Sequence, residues 1–133
     1  MIKLSQLALV AAAVVGFVGC SKPEPINETH QGTIEASDPT LDVDHSHYDA
    51  YDFTAAEGAT ITITCTSSAM DAYAHLIDKE GNQLAHDDDS AGGTNARVTF
   101  TAPYTGAYKA YANTAGATET GAYTLTIVTT AGH

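Results

Sequence analysis

The sequence predicts an all-β domain, a sandwich or a barrel, and three observations predict it. Beyond residue 31 no stretch keeps helical periodicity over three turns. Short runs with period-two alternation recur at a spacing of roughly 8–12 residues. Clusters of Gly, Pro, Asn and Asp punctuate them, as strand-to-strand turns require.

The elements follow in order. Gly32-Thr33-Ile34-Glu35 reads as a first short strand. Tyr48 to Thr54 alternates so that Tyr51 and Phe53 point inward. Ala59 to Thr66 is the clearest strand: Ile61, Ile63 and Cys65 share one face and the threonines share the other. Ala72 to Ile77 leads into the turn Asp78-Lys79-Glu80-Gly81-Asn82, and Gln83 to His86 returns. An acidic, then Gly-rich loop over 87–94 follows. Asn95 to Thr101 puts Ala96, Val98 and Phe100 on one face, and Pro103 to Gly106 turns the chain. Ala107 to Ala112 and Gly121 to Val128 close the domain, with the Ala/Thr-rich stretch 112–120 a loop by composition. The apolar residues suffice for one small core.

The N-terminus has a different grammar. Met1-Ile2-Lys3 precedes an apolar run from Leu4 to Gly19, the pattern of a secretory signal. A transmembrane helix is the rival reading, but the run falls short of the roughly 20 residues a span needs. Phe17-Val18-Gly19-Cys20 resembles a bacterial lipobox, with Phe17 where Leu is usual. The resemblance implies that Cys20 is lipidated, carries three acyl chains including palmitate, and begins the mature chain. Ser21 after it implies sorting to the outer membrane, on either face. The expected organisation is a signal over 1–19, the lipidated Cys20 and a flexible tether over 20–31, and one domain over 32–133.

Sixteen Asp and Glu against five Lys and Arg give a net charge of −11. That balance argues against nucleic acid and anionic headgroups as partners. With Cys20 consumed by lipid, Cys65 has no disulfide partner. It sits on the inward face of a strand, where a thiol behaves as a small hydrophobe.

Residues 49–128 carry a series of short motifs in order. They are Asp49-Ala50-Tyr51-Asp52-Phe53 with Glu57-Gly58, then Asp71 to Asp78, then Gly81-Asn82-Gln83-Leu84-Ala85 with Asp87-Asp88-Asp89. Thr105-Gly106-Ala107-Tyr108 and Gly121-Ala122-Tyr123-Thr124-Leu125 complete them. Together they resemble the bacterial pre-peptidase C-terminal domain, with Ala74 where that family usually has Leu. The resemblance implies a jelly-roll-like β-sandwich of about eight short antiparallel strands. In that family the domain is an accessory to secreted peptidases, and relatives in collagenases bind collagen and calcium. No peptidase region precedes the motifs here, so peptidase activity is not expected.

Asp87, Asp88 and Asp89 are the densest charge cluster; Asp71 opens the preceding strand pair and Asn95 closes the loop. A hard cation such as Ca²⁺ would relieve their repulsion, and backbone capping by the aspartates is the alternative. Asp49 falls near the calcium position that the collagen-binding relatives imply, clustered with Asp42, Asp44 and Asp52, and Glu24, Asn27 and Glu28 of the tether would supply further oxygens. A solvated acidic loop is the alternative there. His45-Ser46-His47 would suit Zn²⁺ or Cu²⁺ only with a third ligand, and otherwise is a polar loop. No catalytic motif with a mechanism is present. The expectation is a non-catalytic envelope lipoprotein that binds a protein, peptide or polysaccharide. Tyr48, Tyr104 and Tyr111 are its candidate contact residues, with Tyr108 a fourth unless alternation buries it. A structural envelope protein without a dedicated ligand is the rival, and a divergent enzyme the more distant one. The exposed edges of a sandwich would also admit a dimer.

Overall fold

Strand alternation decides the architecture. The computed structural model describes residues 22–89 and 91–132. The signal segment and Cys20 lie outside the described residues. Within them run eight strands: β1 (Asn27–Ile34), β2 (Tyr48–Ala55), β3 (Thr60–Thr66), β4 (Ala72–Ile77), β5 (Gln83–Asp87), β6 (Ala96–Thr101), β7 (Gly106–Thr114) and β8 (Gly121–Thr129). A first sheet has the order β1-β8-β3-β6 and a second the order β2-β7-β4-β5. Every pairing is antiparallel. This is the strand order of a jelly roll, so the predicted sandwich is the observed one.

The strands agree closely with the alternation, with two departures. β1 begins at Asn27, inside the stretch read as tether, and pairs with β8 from Asn27↔Val128 to Ile34↔Gly121. Asn27 to Gln31 has no apolar alternation to announce a strand. As an edge strand it is held by its ladder bonds to β8, with Ile34 its one fully buried side chain. β7 likewise extends to Thr114, and Ala112, Asn113 and Thr114 are buried where composition alone reads a loop. The loop proper is 115–120.

The inner layer is divided by size. The first sheet contributes Ile34, Ile61, Ile63, Cys65, Val98, Leu125 and Ile127, all buried. The second contributes Ala55, Ala72, Ala74, Ala110 and Ala112, together with Phe53, Leu76 and Tyr108. Burial pushes the Cys65 thiol up to about 12, and the Asp49 charge adds to the effect, so Cys65 is an inert core group.

Antiparallel connections gather the loops at two poles. Loops 35–47, 67–71, 88–95 and 115–120 share one pole; 56–59, 78–82 and 102–105 share the other. Ile63 is fully buried in the centre of β3. Ile63→Ala should destabilise the domain by about 2–5 kcal/mol, read as a lower urea midpoint with an unchanged slope.

Candidate functional site

The outer face of the second sheet is aromatic. Tyr48 on β2 stacks on Tyr111 of β7 with ring centroids 4.3 Å apart. Tyr111 meets His75 of β4 edge-on at 6.0 Å. His75 stacks on Tyr73 at 4.8 Å, and Tyr73 on His86 of β5 at 5.7 Å. The row therefore crosses all four strands. It forms because outward positions two apart on β4 share a face and the ladder sets His75 against His86 and Tyr111.

A buried polar chain fixes this row from one side. Asn113 takes His75 Nε2 on its Oδ1 at 3.0 Å, and its Nδ2 donates to Ser46 Oγ at 3.0 Å and to the His47 carbonyl at 2.7 Å. Ser46 donates to Asp44 through both its hydroxyl and its backbone N–H. Those two bonds hold the Asp44 carboxyl below the usual carboxylate range. His75 Nδ1 lies 2.5 Å from Gln83 Oε1. Loop 35–47 is thus pinned to the sheet beside the aromatic row. At its tip Val43 is 84% exposed, the one large hydrophobic side chain so exposed among the described residues. Tyr111 is raised above the ordinary phenol range by burial and by Tyr48, and Tyr73 by burial and the nearby aspartates. Both are therefore neutral donors at physiological pH.

The predicted contact residues divide. Tyr48 and Tyr111 are neighbours in the row. Tyr104 lies at the opposite pole, stacked on Tyr108 at 4.4 Å, donating to the Ala107 carbonyl and accepting from Lys79 N–H. Tyr104 is thereby engaged in holding the turn together. Tyr108 is buried.

Four of the predicted metal residues come together: Asp88 feels the charges of Asp71, Asp89 and Asp87 and shares a side-chain hydrogen bond with Asp71. Asp49, Asp71, Asp87, Asp88, Asp89 and Asn95 all sit at or near the pole of loop 88–95. Asp49 accepts the Tyr123 phenol at 2.6 Å, and Tyr123 in turn contacts Tyr51. Asn95 Oδ1 accepts Ser67 N–H, and Asp87 accepts Arg97 N–H. Among the described residues no group of three or more His, Cys, Asp or Glu side chains is arranged to hold a metal ion. His45 and His47 do not converge either: His47 Nδ1 bonds the Asp38 carbonyl, and Ser46 between them turns inward.

The sequence profile of the bacterial pre-peptidase C-terminal domain matches residues 47–114, just over half of the 133-residue chain. The chain belongs to that family. No curated protein sequence matches it. Among solved structures, this pre-peptidase C-terminal domain is similar to that of a collagenase from Bacillus anthracis: 23% identity, 80% of this chain, 98% of that one, TM-score 0.58. It is also similar to Aeromonas hydrophila PliG, a periplasmic lysozyme inhibitor of g-type lysozyme: 14% identity, 80% and 87% covered, TM-score 0.55. Salmonella Typhimurium PliG, another such inhibitor, follows with 17% identity, 77% and 86% covered, TM-score 0.51. At these identities the likeness is one of fold.

Sequence reasoning left His75 and His86 of this pre-peptidase C-terminal domain unassigned. The signal was available: Tyr73, His75 and His86 fall on one face once the 78–82 hairpin is in register. Asp88 shows the cost of the acidic pole. Burial, then the charges of Asp71, Asp89 and Asp87, hold its carboxyl above the usual range, and its Oδ1 has no partner among the described residues. A carboxyl raised on folding opposes the folded state above its folded pKa, and the penalty vanishes as pH falls below the unfolded value. Asp88→Asn should therefore raise the melting temperature near neutral pH by roughly 2 °C, with no gain at about pH 3, as calorimetry would read it.

Proposed function

We propose that this pre-peptidase C-terminal domain is a non-catalytic binding module that offers the outer face of its second sheet to a basic protein partner at the cell envelope. The row Tyr48–Tyr111–His75–Tyr73–His86 carries the reading. Tyrosine presents a large rigid area with a polar tip, and rings already stacked have little freedom left to lose on binding. Val43, exposed at the tip of loop 35–47, offers a further apolar contact. The net charge of −11 favours a cationic partner and speeds its approach. Lipidation of Cys20 would keep the module at the outer membrane, with the residues before β1 as its spacer. Two proteins of like fold are periplasmic lysozyme inhibitors, which supports a protein as the partner class and the envelope as the place.

The test compares the purified protein with its Tyr48→Ala/Tyr111→Ala variant in a pull-down of envelope proteins, with g-type lysozyme as a defined probe in titration calorimetry. The wild type should retain a basic protein, and the variant should bind it at least about tenfold more weakly at unchanged thermal stability. Equal retention by both proteins, or retention of nothing by either, would sink the proposal.

A further inference from the structure

The opposite face has a different chemistry. A groove of about 690 Å³ opens on the first sheet where the end of β1, the start of β8 and the segment after β3 meet. Among the described residues none that lines it carries a charge, in a chain with sixteen carboxylates. Its polar side chains are hydroxyls and amides, among them Gln31, Thr33, Thr66, Ser68, Asn95 and Thr124.

Three of these stand in one cross-strand row, Gln31↔Thr124↔Thr66, at the strand spacing of roughly 4.8 Å. Gln31, Thr33, Thr66, Ser68 and Thr124 have no side-chain hydrogen bond to other described residues, so their donors and acceptors face the groove or solvent. The rim is fixed by other bonds. Ser67 Oγ donates to the Ala122 carbonyl at 2.7 Å and accepts the N–H groups of Ala69 and Met70. Asn95 Oδ1 takes Ser67 N–H at 3.1 Å, which turns its Nδ2 donor outward. Gly32 between Gln31 and Thr33 is dictated from the interior side, where a Cβ would stand 2.5 Å from the Tyr123 phenol oxygen.

We infer that this groove binds an uncharged saccharide. With no carboxylate in the lining there is nothing to hold a cation, and with no Lys or Arg nothing to hold a phosphate or an acidic sugar. An apolar ligand would strand the free hydroxyls and amides. A ligand that both donates and accepts hydrogen bonds around an uncharged ring satisfies them, and the rigid rim keeps the ordering cost low. The site is separate from the aromatic row and does not depend on it.

The experiment is an NMR titration of the isotope-labelled protein with three neutral oligosaccharides: maltohexaose, cellohexaose and the hexamer of N-acetylglucosamine. At least one should give saturable amide shifts grouped at residues 31–33, 66–68 and 122–124, unchanged by added salt. Thr66→Val/Thr124→Val removes two hydroxyls and keeps the strand shape, so it should weaken binding about tenfold without lowering thermal stability. Tyr48→Ala/Tyr111→Ala should leave the titration unchanged. Absence of shifts with all three sugars at millimolar concentration overturns the inference. So do shifts centred on Tyr48 and Tyr111, an unaffected valine variant, or binding of an uncharged Gly/Ser peptide in place of the sugars.

Discussion

Alanines at the centre of one inner face, set against large aliphatic side chains on the other, shape the geometry of this sandwich. The first sheet presents Ile61, Ile63, Leu125 and Ile127 inward; the centre of the second presents Ala72, Ala74, Ala110 and Ala112. Two sheets of large side chains would overfill the space between layers roughly 10 Å apart, and two sheets of alanines would leave voids. Alanine at 74, where the family resemblance leads one to expect leucine, belongs to this division. Large aromatic residues enter the second sheet's inner face at Phe53 and Tyr108, which stack on each other at 5.7 Å. The size rule explains why the strands hold their register: a slip of one residue would carry isoleucine to solvent and threonine into the core.

With the core assigned to aliphatic packing, the polar interior groups serve other ends. Asn113 is buried on the outward side of β7, and it spends both ends of its amide on His75 and loop 35–47. An unpaired amide there would cost about 1–3 kcal/mol, so the loop and the histidine are placed together or not at all. At the seam between the sheets, Tyr123 of the first donates to Asp49 of the second at 2.6 Å. Burial, then hydrogen bonds to Asp49 and Tyr51, raise the Tyr123 phenol well beyond its ordinary range, so it stays a donor. Asp49 thus ties the two sheets together through a tyrosine hydrogen bond.

How much of this was legible in the sequence depends on the kind of force involved. The strands from β2 to β6 could be read because burial imposes alternation, and Ile61-Thr62-Ile63-Thr64-Cys65 writes it plainly. β1 could not, because Asn27 to Gln31 is held by backbone pairing, which leaves no trace in side-chain type. The end of β7 was hidden for a related reason: Ala112, Asn113 and Thr114 read as loop by composition, and Asn113 is buried only because specific partners await it. The same limit applied to the site. Tyr48 and Tyr111 could be picked by residue type, but their stacking with His75, Tyr73 and His86 needs the strand order β2-β7-β4-β5. Tyr104 shares their chemistry and lies at the far pole, since type alone carries no position.

The two outer faces are chemically unlike, and their separation follows from the same alternation that makes the core. Threonine has high strand propensity and remains wettable, so it fills the outward positions of β3: Thr60, Thr62, Thr64 and Thr66. The second sheet places tyrosine and histidine at its outward positions, with Lys109 and Asp52 paired at 2.6 Å beside them. That pair is exposed and contributes little to stability, but it leaves neither charge to disturb the aromatic row. A ligand on one face is kept from the other by the full thickness of the sandwich. Tyr123 nonetheless spans the interior: its ring underlies Gly32 of the hydroxyl-lined sheet, and its phenol donates to Asp49, next in chain to Tyr48.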